Sequence, residues 1–159
     1  MSAHEPCEEH VLVNGWLREL GLRTGLSLRL GADGVCGIGH ASGLDCAVEV
    51  PAGSGRMVLR IALMAVPQGC PELWEHCMAE NFLGLGPDCA TLAIDPAERD
   101  LVLWSVRGLE ALDAGRFADW VVSMFETAEA SRADLERFNR EPHATVAPRD
   151  VGLALTSGA

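Results

Sequence analysis

An α+β fold, a twisted antiparallel sheet of about five to six strands with three helices, is what the sequence predicts, and three observations carry it. Short stretches in which apolar and polar residues alternate are joined by tight turns, the mark of an antiparallel sheet, whereas a parallel sheet needs long crossovers. Three longer stretches instead repeat apolar residues at helical spacing. Finally, 159 residues with 48% apolar side chains suffice for one core and are too few for two. Residues 1–140 are therefore expected as a single domain, and residues 141–159, which show no period, as a disordered tail.

The first helix is expected over residues 8–21, where Val13, Trp16, Leu17 and Leu20 form one stripe and Gly21 stands where a helix ends. Leu26, Leu28 and Leu30 then alternate with Ser27 and Arg29, and Asp33-Gly34 turns the chain into a second strand from Val35 to His40. Leu44, Cys46, Val48 and Val50 alternate with polar or small residues in a third strand, and Met57 to Val66 makes a fourth. A second helix opens at Pro71, whose missing N–H costs nothing in a first turn, and closes by Gly84, with Gly86 and Pro87 beyond. Leu73, Trp74, Cys77, Met78 and Phe82 cover more than one side of it, so it must be packed on two sides. Two further strands follow, Ala90 to Ile94 and Leu101 to Val106, joined by the polar turn Asp95 to Asp100. The third helix, expected over residues 113–139, has Asp113 as its N-cap and a stripe of Phe117, Trp120, Val121, Met124 and Ala128.

Charge narrows the choice of partners. With 12 basic and 23 acidic side chains the chain repels phosphate backbones and anionic lipid, so neither nucleic acid nor a membrane surface is an expected partner. No apolar run is long enough to span a bilayer, and the acidic start MSAHEPCEEH is unlike a secretion leader, which places the protein in the cytoplasm. Six cysteines without a C-x-x-C pair then read as reduced thiols used as small apolar side chains.

Residue groups that resemble chemistry do not survive inspection. Gly37-Ile38-Gly39 leads into a strand rather than a helix and lacks the Lys-Ser/Thr of a nucleotide loop. His40, Ser42 and Asp45 have the residue types of a triad but no nucleophile elbow. His4, Cys7 and His10 lack a fourth metal ligand, and His76 and Cys77, adjacent on a helix, point about 100° apart. No catalytic residue, metal or cofactor is expected. What remains is an excess of apolar surface that one small domain does not readily bury, which points to contacts with other chains.

The run AENFLGLGPDCATLAIDPAERDLVLWSV, followed by Gly108 to Asp113 and a long amphipathic helix, resembles the class I chaperones of bacterial type III secretion, the Tir-chaperone or CesT-like family. Residues 79–113 carry the resemblance, and the element order of residues 10–138 agrees with it. The family has no enzymatic activity. The resemblance implies a cytoplasmic bacterial homodimer that binds the N-terminal segment of a secreted effector in extended form without ATP, with the secretion-apparatus ATPase as a further candidate partner. Trp16, Leu28, Leu30, Ile38 and Cys46 are the candidate effector-binding residues, and backbone at the sheet edge is a second means of binding. Trp74, Cys77, Met78, Asn81, Thr91, Leu92 and Ala93 are the candidate dimer contacts, since a twofold axis lets one apolar patch cover its own copy. Two other readings compete: a small dimeric α/β ligand-binding protein or enzyme, and a structural subunit or regulator.

Overall fold

The computed structural model describes residues 7–141. Residues 142–159, most of the expected tail, and His4 lie outside the described residues. Helix α1 spans Glu8–Thr24, followed by strands β1 (Val35–Gly39), β2 (Asp45–Glu49) and β3 (Arg56–Ala65). Helix α2 (Pro71–Glu80) precedes strands β4 (Thr91–Asp95) and β5 (Asp100–Gly108), and a short 3-10 turn leads into α3 (Ala114–Arg140). The five strands form one antiparallel sheet in the order β1-β2-β3-β5-β4. This is the α+β architecture expected from the alternating strands and tight turns.

One face of the sheet carries the core. On β3 the buried residues Met57, Leu59, Ile61 and Leu63 alternate with more exposed ones, and Leu103 of β5 lies opposite Ile61, with Leu92 of β4 opposite Leu103. Helices α1 and α3 pack over this face through Val13, Leu17, Phe117, Trp120 and Met124, all but sealed from solvent. Fully burying each large side chain stabilises the fold by about 2 kcal/mol. Asp113 caps α3 as expected, its Oδ1 accepting the Arg116 N–H at 2.8 Å.

Among the described residues no helix packs on the opposite face, which is crossed by a row of paired residues. Ala47, Arg60, Trp104 and Thr91 stand in one row across four strands. The Arg60 guanidinium donates to Glu49 Oε1 at 3.0 Å and to Asp95 Oδ2 at 2.7 Å, so one cation ties β2, β3 and the end of β4 together.

The structure corrects the expected elements in two places. Leu26 to Leu30 belongs to none of the five strands; α1 takes two of its backbone donors, the Leu30 N–H bonding Asn14 Oδ1 at 2.8 Å and the Leu26 N–H the Gly21 carbonyl at 3.0 Å. Gly21 does not end α1. The helix runs on to Thr24 and stops at Gly25, whose φ of 75° suits glycine, while Gly21 lies under the returning chain, where a Cβ would sit 2.3 Å from the Leu26 oxygen. The second correction concerns α2, which ends at Glu80 rather than Gly84, leaving Phe82 and Leu83 on a turn.

Candidate protein-binding site

Helix α1 is apolar on two sides. Val13, Trp16, Leu17 and Leu20 face the core, whereas Val11, Leu12 and Leu22 face solvent, Leu22 at 81% exposure. Where the chain turns back after Gly25, Leu22, Leu26 and Leu28 line a groove of about 450 Å³ with the stem of Arg18 at its rim. The segment from Leu26 to Leu28 forms one wall of that groove, and hydrogen bonds from Leu26 and Leu30 hold it to α1.

Beside it lies an open sheet edge. The His40 N–H to Leu44 carbonyl and Val50 N–H to Gly34 carbonyl bonds fix which β1 residues face β2, and the alternation of an antiparallel ladder turns Val35, Gly37 and Gly39 outward. The Val35 carbonyl accepts from the Gly31 N–H at 2.8 Å. The Gly37 and Gly39 N–H groups have no partner among the described residues. Exposed edges are usually guarded by charge, proline or a bulge, and here two of the three outward positions, Gly37 and Gly39, are bare glycine.

Of the expected effector-binding residues, Leu28 alone lines the groove. Trp16, Leu30, Ile38 and Cys46 are buried in the core behind it. Trp16 packs on Phe117 with ring centroids 6.2 Å apart, and burial pushes the Cys46 thiol up to about 12. Leu22 and Leu26 also line the groove; the expected first helix stops at Gly21, one residue short of Leu22.

A second apolar surface lies at the end of α2. Met78, Phe82 and Leu83 are 70%, 85% and 83% exposed. Among the expected dimer contacts, Met78 is on this surface and Trp74 is half-buried, but Cys77 and Leu92 are buried, Cys77 with its thiol raised by that burial. Asn81 is engaged within the chain, bonding the Leu92 backbone. Thr91 and Ala93 are half-buried and stand on the helix-free face of the sheet, opposite Trp104 and Val102.

His76 and Cys77 do point apart. His76 Nε2 lies 2.7 Å from Asp134 Oδ2 and its ring stacks on Phe138, while Cys77 faces inward, so the pair is no nucleophile with its base. Both surfaces are formed mainly by exposed apolar side chains.

The family described as Tir chaperone protein (CesT) matches residues 15–132. Among solved structures the chain is similar to one in the ExsC-ExsE complex, with a TM-score of 0.66 at 18% identity, covering 79% of this chain and 95% of that one. It is similar to a chain of the HopA1-SchA chaperone-effector complex, with a TM-score of 0.63 at 11% identity over 81% of this chain and 99% of that one. A chain of the heterodimeric ExoU-SpcU complex from the type III secretion system of Pseudomonas aeruginosa matches with a TM-score of 0.55 at 23% identity, covering 77% of this chain and 93% of that one. A comparison with curated proteins found no match.

Proposed function

The chain belongs to the Tir chaperone (CesT) family, a family of chaperones rather than enzymes, and from that premise we propose that, as a type III secretion effector chaperone, it holds the N-terminal segment of a secreted effector in extended form. The observation that carries this reading is the apolar groove of Leu22, Leu26 and Leu28 beside an unguarded β1 edge. An extended segment needs both features: apolar side chains settle in the groove, and backbone groups pair with Gly37 and Gly39. Trp16, Leu30, Ile38 and Cys46 then act from behind, as the packed floor that keeps the groove in shape.

Ordering a disordered client costs several kcal/mol, so the binding surface has to be long. A homodimer doubles it. Met78, Phe82 and Leu83, with Trp74 beside them, supply a self-complementary apolar patch for that dimer. No nucleotide enters the scheme: the client stays soluble in the cytoplasm, without ATP, by having its apolar anchors covered, and the secretion ATPase is the partner to which the loaded complex is delivered.

The test is to mix the full chain with the N-terminal segment of a secreted protein encoded beside it and measure the affinity of wild type, Leu22→Asp and Leu28→Asp. Loss of about tenfold or more in the variants is expected, the effect of removing an interface anchor. Equal affinity in all three removes this groove from the account.

A further inference from the structure

The groove on α1 has one charged residue in its lining, Arg18. Arg18 is exposed, and its guanidinium makes no hydrogen bond or ion pair among the described residues. Helix geometry accounts for this: the positions it reaches three and four residues away hold Asn14, Gly15, Gly21 and Leu22, none of them a carboxylate. Glu19, the nearest acid in sequence, points about 100° away round the helix and is not part of the lining. By contrast Arg60, Arg107, Arg116 and Arg137 are each paired with a carboxylate of the same chain. The local balance of charge is also reversed. Between residues 18 and 30, Arg18, Arg23 and Arg29 stand against Glu19 alone, whereas the whole chain has 12 basic and 23 acidic side chains.

An acidic chain thus presents an unneutralised cation at its apolar groove. We propose that the segment taken up here is acidic as well as apolar: a carboxylate of the partner pairs with Arg18 while apolar side chains beside it settle on Leu22, Leu26 and Leu28. This rests on the reading of the groove as the place of an extended client segment, and adds the chemistry of that segment. Spacing makes the rule specific. Arg18 and Leu22 are four residues apart on α1, about 6 Å along the helix axis. Alternate residues of an extended chain are about 6.6 Å apart and share one side. A segment lying along α1 therefore brings a carboxylate to Arg18 when that residue stands two positions from an apolar side chain seated at Leu22. The planar guanidinium suits a carboxylate, since it donates two parallel hydrogen bonds to the two oxygens. The leucines supply the affinity, and Arg18 selects among apolar segments.

The experiment uses three synthetic peptides of alternating apolar and polar residues that differ at one position, two residues from a leucine, which holds glutamate, glutamine or lysine. Their binding to the full chain is followed by fluorescence anisotropy. In wild type the glutamate peptide is expected to bind about threefold more tightly than the glutamine peptide, the scale of a solvent-accessible ion pair. The lysine peptide is expected to bind more weakly than either, although the net charge of -11 favours it at long range. Arg18→Gln, which removes no contact within the chain, is expected to keep the urea midpoint of wild type and to bind the glutamate and glutamine peptides alike. Equal affinity for those two peptides in wild type, or an undiminished preference in Arg18→Gln, would overturn the assignment. Displacement of the glutamate peptide by millimolar inorganic phosphate at constant ionic strength would mark a plain anion site and overturn it too. Leu22→Asp separates this inference from the reading beneath it. If that variant weakens all three peptides while wild type shows no preference for glutamate, the groove stands and its acidic selectivity falls; if it weakens none of them, the groove reading falls and this one with it.

Discussion

Asn81 closes the edge of the sheet at Leu92: its Nδ2 donates to the Leu92 carbonyl at 2.9 Å and its Oδ1 accepts the Leu92 N–H at 2.7 Å. A side chain one residue past the end of α2 thereby stands in for the missing neighbour of β4. This is one answer to an exposed edge strand, and β1 has no equivalent at Gly37 and Gly39. The contrast is why the proposed added strand is placed at β1.

Asn81→Ala removes two hydrogen bonds and leaves the half-buried Leu92 amide unpaired. The expected loss is about 2 kcal/mol, read as a lower urea midpoint with an unchanged slope. A midpoint within error of wild type would mean that water replaces the amide without cost.

How far the sequence reaches is visible in such pairs. Three helices, the strand alternation and the Asp113 cap were legible because each is a local pattern, and residues 79–113 were specific enough to name a family that the match over residues 15–132 bears out. Leu26 to Leu30 misled because alternation reports which side chains share a side, not where the backbone donors go, and Asn14, sixteen residues earlier, takes one of them. The binding residues were harder still. An apolar residue on a strand reads the same whether it is floor or surface, so Ile38 and Cys46 could not be told from Leu28 before the packing was known.

Asp95 contributes to the acid limb of stability. The backbone N–H groups of Ala97 and Glu98, and then the Arg60 guanidinium, hold its carboxyl below the ordinary value of 3.8. A group whose folded value is lowered stabilises the fold at pH above its unfolded value and stops doing so as pH falls through the folded one. Wild type should therefore lose part of its stability as pH falls below the ordinary carboxyl value of 3.8, and Asp95→Asn, less stable at neutral pH, should show a shallower acid slope there. Parallel slopes for the two proteins would show that Asp95 is not the group responsible.

The exposed end of α2 predicts the oligomeric state. Phe82→Asp with Leu83→Asp should convert the proposed dimer to monomer in light scattering at low micromolar concentration. Monomer stability should change by no more than about 0.5 kcal/mol, since neither side chain is packed within its own chain. A double variant that remains dimeric would place the twofold contact elsewhere, with the helix-free face around Trp104 the next surface to vary.

The central claim, that an extended effector segment joins the sheet at β1 and fills the α1 groove, is tested most directly by amide hydrogen exchange on the purified complex. The account predicts that the Gly37 and Gly39 amides, which have no partner among the described residues, become protected on binding, with protection in the segment falling on alternate amides, as in an added strand. Protection confined to the end of α2, or a bound segment in which Gly37 and Gly39 exchange as fast as before, would contradict it.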